Sequence, residues 1–345
     1  MQAKFSKQRF HFKRPAGTSR GVMFEKESYF IMLEQEGRSG LGECSLLRGL
    51  SVDDVLDYEQ KLYWICQHIN EEKPQLYEAL LTYPSIYFGL EQAFLSLERD
   101  SSILFPSDFT DGKAGILING LIWMGSIDFM QKQLHQKISQ DFACIKIKIG
   151  ALSFEEEYRF LKVVRQAYPK IELRVDANGA FLPDEALEKL GRLAALGIHS
   201  IEQPIRVGQC EAMAMLCLQT PLPIALDEEL IDIFDSQTRE KFLDTINPQY
   251  LILKPSLCGG FQGAQDWIKA AERRGIGWWV TSALESNVGL SAIAQWTYGL
   301  GNSLPQGLGT GALYTNNVLS PLVMKGDRIW YDSTQTWDLS VLNQK

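Results

Sequence analysis

Histidine is scarce in this chain and cysteine is scattered. The four histidines, His11, His68, His135 and His199, form no cluster with ligand spacing. The six cysteines, Cys44, Cys66, Cys144, Cys210, Cys217 and Cys258, show no close metal-type pairing. This scatter argues against a metal-binding cysteine pair, and since several cysteines sit in apolar strand or helix contexts, reduced, buried thiols in a cytoplasmic protein are expected. No apolar run approaches the length of a membrane span. The opening "MQAKFSKQRFHF" alternates and carries charge throughout, unlike a signal peptide. Positive charge is also in deficit: 34 Lys and Arg stand against 42 Asp and Glu, a net −8. That balance argues against nucleic acid or an anionic membrane as partner and leaves a small molecule. No nucleotide-binding glycine fingerprint is present.

What is present is a repeat. The chain has 345 residues, a length for two domains or for one barrel with additions. The first hundred residues mix strands and helices. "RFHF" and "YFIML" read as strands, with a polar loop from Lys13 to Gly21 between them, and "EQEGRSGLGE" reads as a hairpin turn into a third strand. Ser85 to Arg99 keeps a 3.6-residue apolar period and predicts a helix. From about residue 112, eight short apolar runs alternate with amphipathic helical patterns. "DEALEKLGRLAALG" has acids in its first turn and stops at Gly197. The expected fold is an α/β (β/α)8-type barrel over residues 106–315, behind an α+β capping domain over 1–105. The tail, 316–345, leaves the repeat and is expected to return to the cap. A doubly wound open sheet is the alternative topology.

"ACIKIKIG", Ala143 to Gly150, puts Ile145, Ile147 and Ile149 on one face of a strand and Lys146 and Lys148 on the other. Either the lysines meet solvent, or two ammonium groups are buried side by side at a cost. The later strands decide between these. Asp176 in "VDANG", Glu202 in "IEQP", Asp227 in "LDEE" and Lys254 in "LKPS" follow Lys148 at intervals of 28, 26, 25 and 27 residues. Each has a plainer role by itself: a turn former, a helix cap, a strand end. Together they keep step with the strand repeat and reach one level, the face where barrels carry their active sites. Three carboxylates at one mouth repel one another, and a shared divalent cation removes the conflict. Oxygen ligands alone select a hard ion, Mg2+, with Mn2+ as substitute. Lysines flanking such a cation are pushed toward the neutral amine, which suits Lys148 to the role of general base. The chemistry this predicts is removal of a proton next to a carboxylate.

At these residues the chain resembles the muconate-lactonising subgroup of the enolase superfamily. The likeness runs through "GLGECSLLRGLS", the Lys-x-Lys strand and the "DAN", "EQP", "DE" and "KP" elements. It implies Asp176, Glu202 and Asp227 as Mg2+ ligands and Lys148 with Lys254 as the acid/base pair. "TSALESNVGL" and "PQGLGT" resemble the members that dehydrate a hydroxylated, succinyl-bearing cyclohexadiene carboxylate in menaquinone biosynthesis. Racemases of N-succinylamino acids, dipeptide epimerases and muconate cycloisomerases are the alternatives. The epimerases usually carry Asp-x-Asp where this chain has Gly307-Leu308-Gly309. Lys146, Asn178, Ser282, Glu285, Gly307 and Arg20, the last in a loop suited to a lid, are the further candidates for contact with substrate or for support of the ligands. A non-catalytic, carboxylate-binding barrel is the alternative from another class. "CGGFQG", Cys258 to Gly263, opens a helix whose N-terminus suits an anion, though a tight turn explains it equally well.

Overall fold

Strand alternation organises the N-terminal sheet. In the computed structural model, which describes residues 1–18 and 21–343, strands β1 (Gln2–Thr18), β2 (Gly21–Gln35) and β3 (Arg38–Cys44) pair antiparallel in that order. Tyr29, Ile31 and Leu33 face helices α1 (Tyr58–His68), α2 (Lys73–Glu78) and α3 (Pro84–Arg99), and all three are fully buried. Phe10 and Phe30 point the other way, onto Val288, Tyr314 and Val318. The sheet is thus covered on both faces.

The polar loop expected from Lys13 to Gly21 is not what forms. Strand β1 continues to Thr18, and pairing resumes at Ala16 opposite Met23 after a register shift beyond His11. The shift leaves Pro15, which has no N–H to give, in the unpaired stretch. Ser19 and Arg20 lie outside the described residues, so the expectation for Arg20 falls there. The edge of β1 does not stay open: Lys13 N donates to Leu313 O at 2.8 Å and Thr315 N to His11 O at 2.9 Å.

The repeat that follows alternates as its sequence does. After β4 (Ile116–Leu117) come β5 (Gly120–Ile122), α4 (Ile127–Ser139), β6 (Cys144–Lys148), α5 (Phe154–Ala167), β7 (Glu172–Asp176) and α6 (Pro183–Ala194). Next are β8 (Ser200–Glu202), α7 (Cys210–Gln219), β9 (Ile224–Leu226), α8 (Ser236–Ile246), β10 (Tyr250–Leu253), α9 (Gly260–Glu272), β11 (Gly277–Val280) and α10 (Asn287–Gly299). Strands β5 to β11 are parallel and adjacent in chain order. Single bridges from Gln306 to Ile118 and from Gly307 to Thr281 join the two edges, so an eighth strand position closes the barrel. Among the described residues no α-helix follows it. The chain forms the hairpin β12 (Leu322–Lys325) and β13 (Arg328–Tyr331) instead, and β13 pairs with β4.

Parity along β6 settles where the lysines point. Ile145, Ile147 and Ile149 belong to the core between strands and helices, with Leu173, Val175, Leu251 and Leu253. Lys146 and Lys148 face the barrel interior with Asp176 and Glu202. Below them the interior is filled by Arg174, stacked 4.2 Å from the Trp279 ring centroid, and by Ile252 and Ala225.

Two carboxylates from the cap grip barrel helices. Glu91 on α3 accepts from Phe261 N at 2.6 Å and Gln262 N at 3.1 Å, in the first turn of α9. The acceptor suited to "CGGFQG" is therefore supplied by the chain itself. Gly260, at φ +76°, leaves room for it: a Cβ there would stand 2.1 Å from Glu91 Oε2. Glu43 on β3 does the same for α10, accepting from Ser286 N at 2.9 Å, Ser286 Oγ at 2.6 Å and Gly289 N at 2.9 Å.

Candidate active site

The ends of five barrel strands bring the charged residues together. Lys146 Nζ lies 2.8 Å from Glu202 Oε2 and 3.1 Å from Asp176 Oδ2. Lys148 Nζ donates to the same Asp176 oxygen at 3.0 Å and to Asn178 Oδ1 at 2.7 Å. Lys254, one residue past β10, pairs with Asp227, one residue past β9. Asp176, Glu202 and Asp227 are all buried. The sequence spacing brings five strand ends to one level because parallel neighbours advance in register, with Lys148 opposite Asp176 and Asp176 opposite Glu202.

Burial and charge act against each other here. Burial pulls the Lys146 ammonium down, but the Asp176 and Glu202 carboxylates outweigh it and hold Lys146 well above the usual lysine range. Lys254 is held up in the same way by Asp227 and Glu202. Asp176, pushed up by burial, is held below the ordinary range by Lys146 and Lys148. Burial and the Asp176 charge push Glu202 up to about 7. Burial raises Asp227 and Glu228 as well.

The donor set suits a hard cation. Asp176, Glu202, Asp227 and Glu228 set four carboxylates against the three ammonium groups of Lys146, Lys148 and Lys254. With all of them ionised negative charge is in excess, which a divalent ion can offset. Glu202 Oε1 and Glu228 Oε2 are buried without a hydrogen-bond partner. Among the described residues no three acid, thiol or imidazole side chains already stand as a metal cage.

A cavity of about 520 Å3 opens over this cluster. Barrel residues Lys148, Glu228 and Leu284 line it from below, and Lys13, Met23 and Leu50 of the N-terminal segment line it from above.

Comparison with known proteins agrees with this architecture. A family model described as enolase C-terminal domain-like matches residues 130–332. The o-succinylbenzoate synthase of Desulfotalea psychrophila is 44% identical over 94% of this chain and 98% of its own length. The chain belongs to the enolase superfamily. The crystal structure of MenC from Desulfotalea psychrophila superposes with a TM-score of 0.85 at 40% identity, over 96% of this chain and 99% of that one. The muconate lactonizing enzyme of Pseudomonas fluorescens shares the fold, with a TM-score of 0.85 at 19% identity, over 99% of this chain and 97% of that one.

In this superfamily member the remaining candidates take distinct places. Asn178, at φ +43°, accepts from Lys148 and donates to Glu228 Oε1 at 3.1 Å, which orients the lysine. Ser282 and Gly307 line the cavity. A Cβ on Gly307 would meet Thr281 Oγ1 at 2.5 Å. Glu285 does not reach the cavity and bonds Ser256 and Ser282 instead. Sequence reasoning passed over Glu228, which stands in a run of three acids, and Trp123, whose ring centroid lies 5.9 Å from Lys148 Nζ. It also passed over Arg174, although Arg174 shares the parity of Asp176 and so had to face inward.

Proposed function

We propose that the chain is an o-succinylbenzoate synthase, which dehydrates 2-succinyl-6-hydroxy-2,4-cyclohexadiene-1-carboxylate to 2-succinylbenzoate in menaquinone biosynthesis. The observation that carries this reading is the 44% identity, over nearly the whole of both chains, to the Desulfotalea psychrophila synthase. Residues 106–315 hold the chemistry in this reading, and 1–105 with the returning 316–345 cover the mouth. The enzyme works in the cytoplasm on a free small carboxylate; among the described residues no helix is long and apolar enough to cross a membrane.

Asp176, Glu202 and Asp227 hold Mg2+ in this proposal. Bound there, Mg2+ supplies positive charge to the substrate carboxylate and so acidifies the neighbouring C–H. Lys148, as the neutral amine, takes the proton from ring carbon 1. Asn178 and Asp176 fix its direction. Lys254, kept as an ammonium by Asp227, faces the negative charge that develops on the carboxylate. The C–O bond at ring carbon 6 then breaks, and Lys148 returns its proton to the leaving hydroxyl, so that water departs on the face the proton left. The ring becomes aromatic, and Lys148 is neutral again.

The test is dehydration of the cyclohexadiene substrate by the Mg2+-loaded enzyme, run beside α-deuterium exchange of N-succinylamino acids. Turnover of the former supports the synthase. Fast exchange into both enantiomers with no dehydration replaces it with a racemase, which uses the same two lysines one per face. No exchange at all with any carboxylate favours a binding barrel.

A further inference from the structure

Beside the active site, and outside the reaction as derived above, lies a fully buried ionic network. Lys26 on β2 is 4% exposed. Its ammonium donates to two hydroxyls, Ser45 Oγ at 2.6 Å and Ser28 Oγ at 3.0 Å. Among the described residues no carboxylate is within ion-pair distance of it. An ammonium buried with only hydroxyl partners is costly unless nearby charge offsets the loss of water. Burial pulls the Lys26 ammonium down, and the charges of Glu43 and Glu285, each 0% exposed, pull the other way. The two carboxylates adjoin at Gly289, where a Cβ would meet Glu285 Cγ at 2.9 Å and Glu43 Oε2 at 3.0 Å.

Both carboxylates hold parts of the barrel. Ser28 Oγ passes the contact on to Glu43 Oε1 at 2.8 Å, and Glu43 grips the first turn of α10. Glu285 accepts from Ser256 Oγ at 2.6 Å and from Ser282 Oγ at 2.5 Å. Ser256 follows Lys254 by two residues, and Ser282 lines the cavity. Thr310, also lining the cavity, donates to Ser282 Oγ at 2.8 Å. Leu284, a third wall residue, is held at φ +63° with its N–H on Ser282 Oγ and its carbonyl under the Tyr314 hydroxyl. A leucine in the left-handed region is strained and persists only where its surroundings hold it.

We propose that Lys26 is a positioning residue, which neutralises Glu43 and Glu285 together and so locks the Thr281–Leu284 wall of the substrate cavity to the seated cap. Lys26 touches no reacting atom. Its loss leaves two buried carboxylates facing each other, one takes up a proton, and an acceptor becomes a donor. Ser282 is then released, and the wall relaxes away from the form that fits substrate. The effect falls on substrate affinity and not on proton transfer by Lys148.

The test uses the full Mg2+-loaded enzyme with Lys26→Met, which keeps most of the side-chain volume. KM in the proposed dehydration should rise about tenfold while kcat stays within about threefold. The charge-balanced pair Lys26→Met with Glu285→Gln should bring KM back to within about threefold of wild type. A packing role alone would lower stability and leave KM unchanged, and the second substitution would add damage; either result overturns the proposal. If Lys26→Met fails to fold, Glu285→Gln alone, which leaves Lys26 with Glu43 and an amide oxygen for Ser282, should keep KM within about threefold of wild type, and a tenfold rise overturns the proposal. The assay rests on the proposed reaction, so hydrogen exchange of the 281–290 segment is read as well. It should quicken about tenfold in Lys26→Met and recover in the pair. A wild type that does not dehydrate overturns the reaction, while unchanged exchange overturns the brace.

Discussion

Replacing Glu91 by glutamine separates two roles of the carboxylate that docks the cap on α9. The side chain accepts two backbone N–H groups, at 2.6 and 3.1 Å, and glutamine keeps one carbonyl oxygen to do so. Burial pushes the Glu91 carboxyl from 4.5 up to about 8, against those two hydrogen bonds. A raised carboxyl means that the folded state holds the proton more tightly than the unfolded chain does. Its stabilising contribution is full below about pH 4.5 and is lost as pH rises through 8. At 1.36 kcal/mol per pH unit, wild type should lose about 4 kcal/mol relative to Glu91→Gln between pH 5 and 8. Part of the side chain still touches solvent, and the N-terminus of α9 favours negative charge, so about 2 kcal/mol is the expected difference. Urea midpoints of both proteins at pH 5, 6.5, 8 and 9 measure it. The gap should favour the mutant increasingly as pH rises. A gap that is flat, or that grows in favour of wild type, would show Glu91 ionised throughout as the cap of the helix, and would refute the reasoning.

Gly260→Ala should cost about 2–4 kcal/mol, because the new methyl meets the Glu91 carboxylate in a left-handed backbone conformation; a thermal melt within one degree of wild type would contradict this. Lys148→Ala should lose nearly all dehydration, whereas Lys254→Arg, which keeps the charge, should retain a measurable trace of dehydration and no racemisation. Equal residual rates for the two variants in stopped assays would count against the division of labour. Excess chelator should abolish turnover and lower stability by about 3 kcal/mol relative to enzyme held at a hundredfold excess of Mg2+ over its Kd. Asp176→Asn should abolish that shift, which calorimetry reads without any assay of activity.

The sequence by itself determined the repeat and its parity. Alternation in "ACIKIKI" requires that the isoleucines and lysines take opposite faces, and intervals of 25 to 28 residues bring Lys148, Asp176, Glu202, Asp227 and Lys254 to one end of the strands. Both follow from local geometry, the two-residue period of a strand and the length of a strand–helix unit, so neighbours in the chain carry the information. Tertiary structure alone decided what meets across long separations. Glu91 caps a helix 170 residues away, and Glu43 another 243 residues away. Neither residue has a local pattern that names its partner, because the partner is fixed only when the cap seats on the closed barrel. Glu228 faces Asn178 for the same reason: the turn after β9 aims it inward, whereas its sequence shows only an acid among acids. The extension of β1 through Pro15 was equally hidden. A turn-rich composition describes the intrinsic preference of Lys13 to Gly21, and pairing with β2 on one edge and with residues 313–315 on the other overrides it.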